Sequence, residues 1–128
     1  MTKEEFEKNV SNPYELHSIV VNNHVATDRL GVYILGQTSD TWSDFFVQRV
    51  GRSDGDLNER LRQHAREKKY PEFMFMYCDT LKENFDWECF LYHEFDPSLL
   101  NNDIHPDRPE GKRWSCPNCD VFDNESNQ

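Results

Sequence analysis

Residues 51–64 read Gly-Arg-Ser-Asp-Gly-Asp-Leu-Asn-Glu-Arg-Leu-Arg-Gln-His, and they contain the transition that decides the fold. A β-rich run ends at Gly51, and a helix signal follows within a few residues. Asp56 suits the N-cap position, and Glu59, three residues later, completes a capping box. The apolar residues that follow recur at helical spacing and predict one buried stripe, formed by Leu57, Leu61 and Ala65. The stretch therefore predicts a strand joined by a short turn to an amphipathic helix.

The same helix carries Arg60 and His64, which lie four positions apart and so share one face. Both fall beside the predicted apolar stripe, at the boundary between core and solvent. An arginine can bind a phosphate through two hydrogen bonds, and a histidine can transfer a proton near neutral pH. Phosphodiester chemistry needs both groups. The alternative interpretation is a surface arginine paired with Glu59 or Glu67.

Short β-rich runs flank this helix on both sides. Upstream, residues 31–36 read Gly-Val-Tyr-Ile-Leu-Gly, and a second run covers residues 45–50 after a polar hairpin loop at residues 37–44. Downstream, residues 73–78 read Phe-Met-Phe-Met-Tyr-Cys and predict a third strand. The helix at residue 57 is therefore expected to pack beside a small sheet.

A further helix is predicted over residues 80–95, where Thr80 and Glu83 form another capping box. Its Glu88 lies three residues after Phe85, a residue of the expected buried face. A carboxylate near a buried face needs a partner, because an unpaired buried charge is costly. An arginine of the neighbouring basic segment would be one such partner.

The two ends of the chain carry simpler signals. Thr2 and Glu5 form a capping box for a short first helix, and the structure of residues 14–30 stays open. Helix and strand signals disappear after Pro97, and residues 121–128 are expected to form a flexible tail.

A Gly-Val-Tyr strand, a strand ending in Val-Gly, a helix with Arg-x-x-x-His and a later helical glutamate occur here in that order. This ordered set, over roughly residues 29–95, resembles the GIY-YIG nuclease family. The resemblance implies an α+β fold with a small, mostly antiparallel three-stranded sheet flanked by helices. We expect one GIY-YIG-like domain over residues 1–120, which includes a C-terminal His/Cys segment at residues 101–119.

The resemblance also implies a metal-dependent nuclease site. Arg60 would contact the scissile phosphate, and Glu88 would bind one Mg²⁺ or Mn²⁺ ion. Tyr33, otherwise a core residue of its strand, would position or deprotonate the attacking water with help from His64. The family also uses an asparagine after the glutamate helix, and the two asparagines at residues 101–102 stay open as candidates.

The chain departs from the family pattern at residues 49–51, Arg-Val-Gly, where the family's second motif begins with tyrosine. Either Arg49 binds the phosphate in compensation, or proton transfer rests on Tyr33 and His64, or the site is impaired. Arg52 directly follows this motif and could clamp a phosphate as well.

The formal net charge of −10 disfavours tight non-specific binding to nucleic acid. The charge is distributed unevenly, because residues 49–69 carry seven cations and four anions. This basic segment includes Arg52 and Arg62, which we expect to bind phosphates. Nucleic acid is therefore the expected partner, with DNA first and RNA second.

Two further expectations concern the environment of the protein. No apolar run approaches the ~20 residues of a membrane span, so no membrane partner is expected. The N-terminus lacks the basic and apolar regions of a signal peptide, so we expect residence in the cytoplasm. In that compartment the four cysteines are thiols or metal ligands rather than disulfides.

A separate signal lies near the C-terminus, where Cys116 and Cys119 form a Cys-x-x-Cys motif. Two thiolates at this spacing fit one tetrahedral zinc ion, which would be structural. The missing ligands would come from the other histidines and cysteines of the region, which are His105, His93, Cys89 and Cys78. Reduced thiols that pack a coil are the alternative, and a thioredoxin-type redox motif would need a βαβ context that is absent here.

The leading interpretation is a metal-dependent endonuclease that hydrolyses phosphodiester bonds in DNA. The alternative is a catalytically impaired GIY-YIG-like module that binds nucleic acid or protein, which Arg49 and the acidic composition favour. A zinc-stabilised interaction domain that acts through the C-terminal segment is a third interpretation.

Overall fold

The computed structural model describes residues 1–38, 44–102 and 104–123. The helices in these ranges are α1 (Lys3–Asn9), α2 (Ser18–His24), α3 (Leu57–Glu67) and α4 (Leu81–Glu94), and a 3₁₀ turn follows at Pro97–Leu99. The strands are β1 (Tyr14–Glu15), β2 (Gly31–Thr38), β3 (Phe45–Ser53) and β4 (Glu72–Tyr77). The protein is therefore α+β, as the sequence predicted.

The four strands form one antiparallel sheet in the order β1-β4-β2-β3. The prediction of three strands was one short, since β1 adds a strand outside β4. Only two residues long, β1 cannot display the alternation that identifies a strand in a sequence. It forms because Tyr14 pairs with Phe73 of β4. The strand that matters most for the site is β3, which lies at the opposite edge.

One face of the sheet packs against α2 and α3. Tyr33 and Leu35 of β2 point to this side, where they join Leu57 and Leu61 of α3 and Val21 of α2. All five side chains are buried. The predicted apolar stripe of α3 is thus the surface that holds this helix against the sheet.

The other face of the sheet packs against α1 and α4. Val32 and Ile34 of β2 point to this side, where they meet Phe6 of α1 and Trp87 and Leu91 of α4. Helices on both faces explain why β2 is a continuous apolar run rather than an alternating one. Because Tyr33 and the buried residues of α4 lie on opposite faces, they can share a site only around the edge strand β3.

At all three predicted capping boxes, the structure forms the N-cap half of the motif. In each, the backbone N–H of a glutamate donates to the side chain of the N-cap residue: Glu5 to Thr2, Glu59 to Asp56 and Glu83 to Thr80. The N-cap of α2 is different, since the ring of His17 accepts from the N–H of Ile19. A histidine cap is outside the usual residue preferences, which explains why residues 14–30 could not be assigned.

The structure of the C-terminal part of the chain agrees with the loss of helix and strand signals in the sequence after Pro97. Beyond the 3₁₀ turn, residues 100–102 and 104–122 form turns and irregular backbone. Residues 39–43 of the predicted hairpin loop and residues 124–128 of the predicted tail lie outside the described residues. Within the described ranges, none of the helices combines the length and the apolar character that crossing a bilayer requires.

Candidate active site and metal centre

Tyr33 of β2 reaches two residues of α3 through its hydroxyl. Its partner in the neighbouring strand β3 is Gly51, where a side chain would overlap the tyrosine ring. The Tyr33 oxygen lies 2.8 Å from Nε2 of His64, and Nε of Arg60 donates to it at 3.2 Å. The glycine thus leaves room for a direct contact among Tyr33, Arg60 and His64, three of the predicted site residues.

The protonation state of His64 follows from its surroundings. The residue is only 3% exposed. Burial, followed by the positive charges of Arg60 and Arg49, lowers the pKa of His64 from 6.5 to about 4, so the ring is neutral near pH 7. The Tyr33 oxygen and Nε2 of His64 share one hydrogen bond, and the tautomer of the ring decides which of the two donates. Nδ1 of His64 is buried without a hydrogen-bond partner among the described residues and lies 3.8 Å from the Glu67 carboxylate.

Replacing His64 by glutamine is expected to flatten the acid dependence of stability. The unfolded chain takes up a proton on this ring below pH 6.5, whereas the folded chain does so only near pH 4. The free energy of unfolding therefore falls as pH drops through this window, by about 3 kcal/mol at its lower end. Urea titrations should show that the free energy of unfolding of wild type, relative to that of His64→Gln, falls by this amount as pH drops through the window.

Glu88 has the opposite effect on the pH dependence of stability, because burial in the folded protein raises its pKa from 4.5 to about 7. Its contribution to stability is full below pH 4.5 and is lost as pH rises toward 7. Glu88 is present in both proteins, so this contribution cancels in their difference. A difference that stays constant with pH would contradict a buried neutral His64.

A cavity of about 340 Å³ lies beside this cluster, around the edge strand β3. Its charged lining residues are three arginines and two carboxylates, namely Arg49, Arg52, Arg60, Glu88 and Asp107. Tyr33 also lines it. Nε of Arg49 is buried without a hydrogen-bond partner among the described residues. A buried donor of this kind is uncommon in folded proteins, and here it is available to a ligand in the cavity.

Glu88 reaches the cavity from α4, on the opposite face of the sheet from Tyr33. Its Oε1 accepts from Nη1 of Arg52 at 2.6 Å, and Arg52 also binds Asp54 at 2.9 Å. Burial raises the pKa of Glu88 to about 7, and the charge of Arg52 opposes that rise. The structure thus identifies the expected arginine partner as Arg52. Among the described residues, no hydrogen bond to Oε2 of Glu88 is formed.

Arg62, the remaining arginine predicted to bind phosphate, does not line the cavity. Its guanidinium donates to Asn58 and to Glu59 on another side of α3. The helical spacing explains this position, because Arg62 lies two residues after Arg60 and so faces away from it. Its predicted contact with phosphate stays a prediction and would need a substrate that extends along α3.

The two candidate asparagines have different roles. Asn102 lines the cavity, and its amide forms two hydrogen bonds with the backbone of Val50 in β3, at 2.8 and 3.0 Å. Asn101 contributes its backbone, which donates to the Gln48 carbonyl and accepts from Arg49. Both residues fasten the start of the C-terminal segment to the edge strand, beside the arginines.

Four potential metal ligands meet at the end of α4. His93 belongs to that helix, and His105, Cys116 and Cys119 belong to the C-terminal segment. Their ligand atoms all lie within 4.8 Å of one another. This His₂Cys₂ group could hold a metal ion, as predicted for His105, Cys116 and Cys119.

The fold selects the fourth ligand among the alternatives that the sequence left open. Cys78 is buried in a separate core cluster, Cys89 packs beside Cys116 without belonging to the ligand group, and His93 completes the group. The distances along the chain from residue 93 to residues 105, 116 and 119 match no regular zinc motif. Only the position of α4 against the C-terminal segment brings His93 to the others.

Comparisons with protein-family models, with curated proteins and with solved structures found no match to this chain. The chemistry of the site is therefore inferred from its own side chains. These are a cavity rich in arginine with a buried glutamate, a tyrosine–histidine pair beside it, and a group of four potential metal ligands next to it.

Proposed function

We propose that the protein is a metal-dependent nuclease of the GIY-YIG type that hydrolyses phosphodiester bonds, with DNA as the preferred substrate. The observation that carries the proposal is the composition of one cavity. Three arginines, a buried glutamate and a tyrosine bonded to a neutral histidine lie around it. These are the groups that bind a phosphate diester, activate water and bind a hard divalent cation.

Phosphate binding is the task of the arginines. Arg49, Arg52 and Arg60 approach the cavity from β3 and α3, so a phosphate there would meet cations from more than one side. The Nε of Arg49 supplies a donor that none of the described residues uses. The overall charge of −10 disfavours binding of nucleic acid to the rest of the protein surface. We therefore expect the substrate to be held at one phosphate in the cavity rather than bound tightly and non-specifically along the surface.

Water activation is the task of Tyr33 and His64. Burial raises the pKa of Tyr33, so its hydroxyl keeps its proton at neutral pH. In the tautomer of His64 with a free lone pair on Nε2, the Tyr33 oxygen accepts from Arg60, donates to His64 and has a second lone pair for the attacking water. As the water oxygen bonds to phosphorus, its proton passes to Tyr33, and the Tyr33 proton passes to Nε2 of His64. The ester P–O bond breaks, and the leaving oxygen takes a proton from solvent.

Glu88 is the residue that would hold Mg²⁺ or Mn²⁺. Glu88 lines the cavity, and its Oε2 forms no hydrogen bond with the described residues while Oε1 stays with Arg52. A single carboxylate suits a hard cation that keeps most of its waters. When bound, such an ion neutralises phosphate charge and lowers the pKa of its waters. Arg52 donates to Asp54 through Nε and Nη2 and to Glu88 through Nη1, so both carboxylates hold its guanidinium beside the cavity.

The direct test is cleavage by purified full-length protein. Supercoiled plasmid and labelled single-stranded DNA and RNA should be incubated with Mg²⁺, with Mn²⁺ or with neither ion. We expect slow nicking that needs the cation. Binding without cleavage under every condition would exclude the nuclease and favour the binding module.

Arg49 distinguishes a slow enzyme from a binding module. An arginine cannot accept a proton at any ordinary pH, so position 49 contributes only charge where the family resemblance implies a phenol. Arg49→Tyr is expected to raise the cleavage rate by about tenfold or more, measured as initial rates on plasmid. Arg49→Phe, with the ring but no hydroxyl, is the matched control. If wild type and Arg49→Tyr are both inactive with either cation, the binding module is the better assignment.

For the His₂Cys₂ group, zinc is the proposed ion and its role is structural. Two imidazoles and two thiols form a donor set typical of closed zinc sites. Mg²⁺ and Mn²⁺ prefer oxygen ligands, so they would compete for Glu88 and not for this group. The protein would thus carry two different metals with separate tasks.

A further inference from the structure

We infer that the zinc centre of His93, His105, Cys116 and Cys119 holds residues 104–107 in place as one wall of the arginine-lined cavity. Assembly of the phosphate site would then depend on zinc. The inference rests on the proposed function only where it calls the cavity a phosphate site.

Three of the six distances between ligand atoms in the group fit a tetrahedral zinc ion. Zinc–nitrogen bonds of about 2.0–2.1 Å and zinc–sulfur bonds of about 2.3 Å give a tetrahedron whose edges are about 3.3 Å between nitrogens and about 3.6 Å between nitrogen and sulfur. The two histidine Nε2 atoms lie 3.2 Å apart. The nitrogen–sulfur distances are 3.5 Å from His93 to Cys116 and 3.4 Å from His105 to Cys119. Each agrees with its edge to within about 0.2 Å.

The surroundings of the ligands also fit a metal centre. Nδ1 of His105 lies 2.8 Å from the backbone oxygen of Pro106, so this ring donates there and presents the lone pair of Nε2 to the group. The backbone N–H of Asn118 donates to Sγ of Cys116 at 3.4 Å, a contact that favours the thiolate. Neither hydrogen bond occupies the lone pair of Nε2 in His105 or removes Sγ of Cys116 from the group.

The cavity and the zinc centre share a residue. His105 is a ligand, and together with Ile104, Pro106 and Asp107 it lines the cavity opposite β3. The ligand on the other side, His93, belongs to α4, the same helix that carries Glu88. A zinc ion would therefore tie the outer wall of the cavity to the helix that supplies its carboxylate.

Besides zinc, the described structure supports the wall through the hydrogen bonds of residues 101–102 to β3 and the ring contacts of His105 with Tyr92 and Phe122. Residues 104–122 form no helix or strand in the described structure, so their backbone lacks the repeated hydrogen bonds that hold such elements. The segment packs through a small cluster around Phe85, with Trp114 and Phe122 against it. A long irregular segment with so small a core is the situation in which proteins use a metal ion as a clamp.

The test uses the full chain and does not depend on cleavage. We expect one zinc per purified chain by mass spectrometry of metals, and a tetrahedral thiolate spectrum after replacement by Co²⁺. Cys119→Ser should lose the ion, and Cys78→Ala, a buried cysteine outside the group, should keep it. Stripping zinc from wild type with a chelator is a second route to the metal-free state.

Amide hydrogen exchange then reports on the wall. Removal of zinc should speed exchange where the segment joins β3, at Asn101, whose N–H donates to Gln48, and at Val50, whose N–H donates to Asn102, by at least about tenfold. Amides of β2 and β4 should keep their protection. A labelled single-stranded oligonucleotide should bind more weakly to the zinc-free protein.

Three results would overturn the inference: no zinc in the protein, unchanged exchange after zinc removal, or loss of protection throughout β2 and β4. The last result would mean that zinc holds the whole fold rather than this wall. If zinc and exchange behave as expected but no DNA is cleaved with Mg²⁺ or Mn²⁺, the nuclease proposal fails and the zinc wall stands.

Discussion

Replacing Arg60 by alanine is expected to lower the rate of phosphodiester cleavage by a factor of about 10² or more. The guanidinium lines the cavity, and its Nε donates to Tyr33. The substitution therefore removes both a cation from the bound phosphate and a hydrogen bond that orients the tyrosine hydroxyl. Initial rates on a labelled oligonucleotide, with thermal melting to verify the fold, measure the effect.

Arg66→Ala is the matched control, because Arg66 belongs to the same helix, is exposed and pairs with Glu59. It removes the same charge from α3 without touching the cavity. A second readout comes from His64, whose pKa is lowered in part by the charge of Arg60. That pKa should rise in Arg60→Ala, as followed by NMR titration of the ring. Equal cleavage rates in Arg60→Ala and Arg66→Ala, with normal melting, would remove Arg60 from the site.

Local signals were enough to predict most of the secondary structure. The capping boxes at Thr2, Asp56 and Thr80 predicted three helices, and short apolar runs predicted β2, β3 and β4. These signals work because a capped helix end satisfies its own backbone groups within a few residues. The strand β1 and the helix α2 were missed, since a two-residue strand has no pattern and α2 begins at a histidine cap.

The sequence predicted individual residues of the candidate site, but not the contacts that bring them together. The sequence predicted that Glu88 needs a partner and that His64 borders the core, and both expectations follow from helical spacing alone. What it could not supply is the register that sets Tyr33 against Gly51. That pairing decides whether the tyrosine hydroxyl meets His64 or is covered by a side chain, and it depends on contacts between residues far apart in the chain.

The long-range contacts also account for what the sequence left open. His93 becomes a potential metal ligand only because the C-terminal segment returns to the end of α4. Asn102 is distinguished from Asn101 by hydrogen bonds to Val50, a residue about half the chain away. Neither role could be predicted from the spacing of residues in the sequence, because irregular backbone has no repeat from which the direction of a side chain follows.

The second large effect is expected at Glu88. Glu88→Gln keeps the shape of the side chain and can still accept from Arg52, but it removes the carboxylate that would bind Mg²⁺ or Mn²⁺. Cation-dependent cleavage should fall by a factor of about 10² or more. Cleavage rates should be measured over a titration of Mn²⁺. Zinc should be bound to the His₂Cys₂ group beforehand, so that the effect of Mn²⁺ comes from the Glu88 site alone. Glu94→Gln, an exposed glutamate of the same helix, is the control and should cleave normally.

The pH dependence of Mn²⁺ binding provides the independent check. Burial raises the pKa of Glu88 to about 7, so the carboxyl is protonated below that pH and ionised above it. Because only the ionised form is a good ligand, Mn²⁺ should bind wild type more tightly as pH rises through about 7. The amide of Glu88→Gln has no proton to lose, so its residual binding should not change over the same range. If calorimetry finds the same pH dependence in both proteins, the cation binds elsewhere, and Glu88 serves only as the buried partner of Arg52.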